Sequence, residues 1–138
     1  MRTRISCAAG LALAMLALGT LPASAGDVPV VKPQELLSAM KTDPKLLVLD
    51  VRTPKEYDSG HVPGAINVPY DQLPNRLAEV RDRAPDRVVV YCETGGRAAK
   101  AEKTLQDAGV QNVQHLEGDM RGWRKQKLPM KRPLQSVE

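Results

Sequence analysis

Val88-Val89-Val90-Tyr91-Cys92-Glu93-Thr94-Gly95-Gly96-Arg97 is the stretch on which the fold turns. A run of β-branched residues leads straight into a cysteine. After Arg97 a helical pattern follows, Ala98-Ala99-Lys100-Ala101-Glu102-Lys103-Thr104-Leu105. β-Branched residues suit a pleated, buried surface, so the spacing predicts a buried strand with a thiol at its carboxyl end. The glycine-bearing turn then delivers the chain to a helix N-terminus, where free backbone N–H groups and the helix dipole favour negative charge. Those features, with the fixed cation of Arg97 nearby, favour thiolate over thiol. A free cysteine at a strand end also serves as a small buried hydrophobe. The Gly-Gly-Arg that follows tips the reading toward a nucleophile, because packing alone asks for no anion nest.

Outward from this stretch, Arg87–Tyr91 reads as the central strand. An amphipathic helix is predicted over Asp71–Arg83, with Leu73, Leu77 and Val80 at helical spacing. Leu46–Leu49 is a continuous apolar run ending in Asp50, the pattern of a strand buried on both faces. Thr53-Pro54-Lys55-Glu56 puts Thr at an N-cap, Pro at N1 and Glu at N3, a capping box, and Gly60 ends that brief helix. His61-Val62-Pro63-Gly64 is a turn, followed by a strand over Ala65–Val68. A short first strand, Val28–Val31, and a helix from Pro33 with Leu36, Leu37 and Met40 on one face complete the amino half.

Toward the carboxyl end, a helix over Ala98–Ala108 turns Ala101, Leu105 and Ala108 inward and is closed by Gly109. Val113–Leu116 is a last strand, and Gly118–Lys127 a loop and short helix around Trp123. Strands alternating with helices at short intervals predict one α/β domain over residues 26–127, with a mostly parallel central sheet flanked by helices. The tail from Leu128 to Glu138, with Pro129 and Pro133, is expected to be extended or frayed. In such a sheet ligands bind beyond the carboxyl ends of strands. Cys92 and Asp50-Val51-Arg52 both lie at such ends.

Residues 1–25 stand apart from the domain. Met1-Arg2-Thr3-Arg4 is a positive n-region, Ile5–Leu18 an Ala- and Leu-rich apolar run, and Ala23-Ser24-Ala25 a small-residue cleavage site. This is the pattern of a secretory signal peptide, too short an apolar run for a membrane anchor. The expected location is therefore periplasmic, with membrane contact only during export. The chain of 138 residues carries a formal charge of +4, and removal of Arg2 and Arg4 takes away half of that excess. Of its two cysteines, Cys7 leaves with the signal, so Cys92 has no partner for an internal disulfide and is either inert or kept for chemistry. His61 and His115 form no ligand-like spacing with Cys92, which argues against zinc. Weak net charge and few aromatics argue against nucleic acid.

Three chemistries compete for Cys92 to Arg97. A sulfurtransferase uses the thiolate to take a sulfane sulfur as a persulfide, with loop N–H groups holding the anionic sulfur in the manner of an oxyanion hole. A cysteine phosphatase, or an arsenate reductase of similar design, needs a wider loop, with five residues between cysteine and arginine. Here the intervening residues are only Glu93, Thr94, Gly95 and Gly96. A thiol–disulfide oxidoreductase wants a second, resolving cysteine nearby, and none follows Cys92. Loop size and cysteine count favour sulfur transfer.

Asp50-Val51-Arg52-Thr53-Pro54-Lys55-Glu56-Tyr57-Asp58-Ser59-Gly60-His61-Val62-Pro63-Gly64-Ala65-Ile66-Asn67-Val68-Pro69 resembles the amino-terminal signature of the rhodanese family. Tyr91–Arg97 resembles its active-site loop, and Leu116-Glu117-Gly118 through Gly122-Trp123 its carboxyl-terminal signature. The resemblance covers Val30 to Lys127 and implies the rhodanese α/β fold. It also implies sulfur transfer from thiosulfate or a persulfide or polysulfide donor to cyanide or a thiol, with Cys92 as persulfide carrier. Glu93, Thr94, Gly95, Gly96 and Arg97 would cradle the sulfur and the donor; no metal and no organic cofactor is implied. Two positions depart from the family pattern. Ala98 stands where Ser or Thr is common, and Glu93 where the residue is often basic or neutral. A carboxylate at that position opposes thiolate formation if it points inward, and it repels a dianionic donor such as thiosulfate.

The remaining polar residues carry quieter expectations. Asp50 and Arg52 read as a structural ion pair, and His61 as a turn residue bonded to backbone rather than a general base. Trp123 is expected to pack the carboxyl-terminal segment over the core. Arg121, Arg124, Lys125, Lys127, Lys131 and Arg132 read as a solvated basic face, with attraction of anionic donors or of anionic membrane lipid as the functional alternative. The runner-up for the whole chain is a sulfur-carrying or partner-binding module that docks on another exported protein.

Overall fold

The computed structural model describes residues 27–83 and 85–133. Residues 1–25, where the sequence leads to the expectation of a signal peptide, and the last part of the tail, residues 134–138, lie outside the described residues. The elements in chain order are β1 (Val30–Val31), α1 (Pro33–Thr42), β2 (Leu46–Asp50), α2 (Pro54–Ser59), β3 (Ile66–Asn67), a 3-10 turn (Leu73–Asn75), α3 (Leu77–Arg81), β4 (Arg87–Tyr91), α4 (Gly96–Asp107), β5 (Val113–Leu116) and α5 (Asp119–Lys125). The five strands form one sheet in the order β1-β5-β4-β2-β3, and every pairing is parallel. Asp50 lies level with Tyr91, and Val90 with His115. The carboxyl ends of β2, β4 and β5 therefore open on one edge.

Alternation along the strands builds two cores. Leu47, Leu49, Val88 and Val90 face one way and meet Val80, Ala98, Ala101 and Leu105 from α3 and α4. Val48, Val89 and Tyr91 face the other way and meet Leu36, Met120 and Trp123 from α1 and α5. Continuous apolar strands are what two-sided burial demands, and on this point sequence and structure agree.

Differences from the sequence expectations have local causes. The single helix expected over Asp71–Arg83 is broken into the 3-10 turn and α3, with Arg76 (φ −121°, ψ 18°) at the joint. Pro74 lacks an N–H and its ring crowds the preceding turn, so it is accommodated at the start of a short, tight element. α4 begins at Gly96 rather than Ala98, because Gly95 takes a positive φ that ends the loop abruptly. The strands expected over Val28–Val31 and Ala65–Val68 shorten to two residues each at the sheet margins. The described part of the tail is extended but not frayed. Trp123 Nε1 donates to the Pro129 carbonyl at 2.8 Å, and His61 and Lys131 exchange two backbone hydrogen bonds of 2.9 Å each.

Candidate active site

Cys92 follows the last residue of β4, with 1% of its surface exposed. The Gly95 backbone N–H donates to its sulfur at 3.0 Å, and the first turn of α4 starts one residue later. An N–H aimed at sulfur at a helix N-terminus suits an anionic sulfur. The turn depends on Gly95, whose φ is +111°. A Cβ there would sit 3.2 Å from Asp119 Oδ2, besides straining the backbone. Gly95→Ala is expected to cost about 1–3 kcal/mol of stability and to slow any reaction of Cys92; urea unfolding and the rate of thiol alkylation measure the two effects.

Arg97 interacts with Cys92 but is not a free cation. Its Nη1 and Nη2 donate to Glu56 Oε2 and Oε1 at 2.7 and 2.8 Å, a bidentate pair. Glu56 is the N3 residue of the capping box at α2, where its Oε2 also accepts from the Thr53 N–H and hydroxyl at 2.9 and 2.8 Å. The Arg97 guanidinium, together with the Thr53 donors, holds the Glu56 carboxyl at about 2, with partial burial opposing. The positive charge expected to face the sulfur is thus shared with a carboxylate already in place. The spacing within the loop carried no sign of this, since Glu56 and Arg97 lie on different elements.

Glu93 is half-buried, and its carboxylate is held on both sides. Arg124 of α5 donates to Oε1, and Arg52 Nη1 stands 3.5 Å from Oε2. Thr94 and Gly96 are exposed on the surface of the loop. Ala98, fully buried, packs into the core under α4.

Two further groups were not anticipated as parts of the site. Asp119, 3% exposed, accepts the Cys92 backbone N–H on Oδ1 at 2.9 Å. Its Oδ2 meets His115 Nε2 at 3.0 Å, and His115 Nδ1 meets Glu102 Oε1 at 2.5 Å. Asp119 has a left-handed backbone (φ 53°), and at this first residue of α5 that turn aims the carboxylate back at β4. The Met120 and Arg121 N–H groups add bonds to the Cys92 and Glu93 carbonyls at 3.0 and 3.2 Å. The His115/Asp119 spacing of four residues was the available signal, but it spans a strand end and a helix start, where no helical register applies.

Hydrogen bonds to Asp119 and then Glu102 raise the His115 imidazole to about 10, against opposing burial. Asp27 and Lys103 line the open cleft on its outer side. A folded-state value above the ordinary 6.5 means that this contribution to stability is complete below about pH 6.5 and is lost as pH rises through about 10. His115→Gln is expected to lose about 1.5–3 kcal/mol at neutral pH and to show a flatter alkaline decline. Urea midpoints of both proteins across pH 6 to 11 decide it; parallel curves would refute the assignment.

Below the loop lies a fully buried network. Arg52 Nη2 and Nε donate to Asp50 at 2.7–3.1 Å, and Nη2 reaches the Gly60 carbonyl at 2.9 Å. The Tyr91 hydroxyl donates to Asp50 Oδ2 at 2.8 Å and accepts the Val62 N–H at 3.1 Å. Burial and then the Asp50 charge push the Tyr91 phenol well above its usual range. Asp50 and Arg52 are the structural pair expected of them. His61 bonds the Tyr57 carbonyl through Nδ1 at 2.9 Å and stacks on the Tyr57 ring at 3.6 Å, as a turn residue does. Trp123 is fully buried between core and tail.

A family model described as Rhodanese-like domain matches residues 32–126. Chloroplastic thiosulfate sulfurtransferase 16 of Arabidopsis thaliana is 40% identical over 93 residues, covering 60% of this chain and 78% of that protein. The tRNA uridine(34) hydroxylase of Salmonella arizonae is 34% identical over 103 residues, which are 69% of this chain but 29% of the hydroxylase. Among solved structures, a Lactobacillus plantarum protein superposes with a TM-score of 0.66 at 32% identity, covering 75% of this chain and 87% of its own. The rhodanese-like domain of an Anabaena sp. protein gives 0.67 at 26% identity, covering 80% and 83%. The family match runs from the start of α1 to the end of α5 and takes in every element that shapes the cysteine loop: the chain belongs to the rhodanese-like domain family.

Proposed function

We propose that this protein is a sulfurtransferase in which Cys92 carries a sulfane sulfur as a persulfide between a small donor and a thiol or cyanide acceptor. The observation that carries this reading is the Cys92 thiol at the carboxyl end of β4 with the Gly95 N–H directed at its sulfur, in a loop with four residues between cysteine and arginine. The thiolate attacks the donor's outer sulfur, and the S–S bond to the donor breaks as the Cys92 persulfide forms. The acceptor then attacks the terminal sulfur and returns Cys92 to thiolate. This is covalent catalysis in two steps, and no metal or organic cofactor enters it. Glu93, Thr94, Gly95, Gly96 and Arg97 enclose the transferred sulfur. The similarity to an Arabidopsis thiosulfate sulfurtransferase supports the reaction class.

The segment Met1–Ala25 supports export to the periplasm. A similar region makes up 29% of a tRNA uridine(34) hydroxylase, so such a domain also occurs as part of a longer protein, and the second reading is a sulfur-carrying module serving an exported partner. Intact-mass measurement separates the two. Gain of one sulfur from thiosulfate or a persulfide, then repeated thiocyanate release with cyanide, is expected of the enzyme. Sulfur that loads once and does not turn over supports the carrier, and no loading from any donor overturns both.

A further inference from the structure

We infer that Glu56 and Glu93 make this site select a persulfide group, R–S–SH, over the thiosulfate dianion as its sulfur donor. The inference rests on the sulfur-transfer reading above and narrows its substrate. Three guanidinium groups near the loop already have a carboxylate. Arg97 is held bidentate by Glu56, Arg124 by Glu93, and Arg52 by Asp50, with Glu93 3.5 Å away on its other side. His115 lies between Glu102 and Asp119. What remains to hold a donor is the Gly95 N–H, the start of α4 and a neutralised rim.

That complement matches the two donors differently. Thiosulfate brings two negative charges, and its leaving group is sulfite, also a dianion, so it needs cations, and Arg52, Arg97 and Arg124 are already engaged in ion pairs. A persulfide group brings one negative charge at most to the reacting sulfurs. The Cys92 thiolate attacks its outer sulfur, the new Cys92 S–S bond forms, and the R–S bond to that sulfur breaks. The departing thiolate takes the proton the persulfide carried and leaves as R–SH, with the negative charge now on the Cys92 persulfide. The sulfur moves without net oxidation or reduction, and no large charge must be stabilised at the rim. A donor dianion would have to pull Arg97 from Glu56, whose carboxylate is also fastened to Thr53.

The test is the rate of Cys92 persulfide formation, by rapid-quench intact mass, with glutathione persulfide and with thiosulfate as the two probes. The wild-type protein is expected to load from glutathione persulfide at least about a hundredfold faster, within the range that charge complementarity commands over encounter rates. Glu56→Gln and Glu93→Gln are each expected to raise the thiosulfate-to-persulfide rate ratio about tenfold, as Arg97 or Arg124 is released. Higher salt should leave thiosulfate loading unchanged or speed it, because screening weakens repulsion. Three results would overturn the selectivity: comparable wild-type rates, thiosulfate loading that slows with salt, or a ratio unmoved in both variants. The wild-type and salt comparisons need no variant to fold. Failure to load from either donor would instead bring down the sulfur-transfer reading itself.

Discussion

Cys92→Ser is expected to remove sulfur transfer to the background level, a loss of at least about three orders of magnitude, while the fold survives. A hydroxyl oxygen is a far weaker nucleophile than a thiolate, and an S–O bond to sulfane sulfur gives no stable carrier. The site nevertheless accommodates it. Cys92 belongs to the same buried cluster as Val51, Val68, Val90 and Ala98, and a serine oxygen there keeps the Gly95 N–H as a donor. The change in stability should stay within about 1 kcal/mol, because one satisfied hydrogen bond replaces another. Thiocyanate production and urea unfolding on the same samples give the two halves of the result. Retained turnover would falsify the assignment of Cys92 as carrier.

Asp50→Ala is expected to destabilise the domain by about 3–5 kcal/mol, a large part of the roughly 5–15 kcal/mol that holds a domain of this kind together. Arg52 has 1% of its surface exposed, and loss of Asp50 leaves that charge with only the Gly60 carbonyl and the more distant Glu93. The Tyr91 hydroxyl loses its acceptor, and the Arg52 backbone N–H loses a 2.9 Å bond to Asp50 Oδ1. Asp50→Asn keeps acceptors for some of these donors and should fall between. Because Tyr91 immediately precedes Cys92, the variant that still folds should also load sulfur more slowly. An Asp50→Ala protein within 1 kcal/mol of wild type would show that solvent reaches Arg52 at little cost.

The parts of the molecule that follow from neighbouring residues were legible in the chain itself. Leu46–Leu49 and Val88–Val90 announce two-sided burial because every residue is apolar, and the structure pairs them side by side in parallel. Thr53-Pro54-Lys55-Glu56 caps a helix because the side chains three positions apart reach each other, as they do at 2.8 Å. The helix expected over Asp71–Arg83 shows the limit of periodicity: Leu73, Leu77 and Val80 keep helical spacing, while the backbone leaves helical geometry at Arg76 between the two pieces.

The candidate site divides along the same line. Cys92 at a strand end, the glycine turn and the helix behind it belong to one short stretch, and the sequence by itself determined them, since β-branched runs, glycine turns and helix starts are local properties of the chain. Which charges remain free around that sulfur was decided only by the tertiary structure. Arg97 meets Glu56 across 41 positions, Glu93 meets Arg124 across 31, and Asp119 reaches the Cys92 N–H across 27. Those meetings depend on how five parallel strands bring their carboxyl ends to one edge, and a charge has no field that spacing along the chain can predict until its partner is placed beside it.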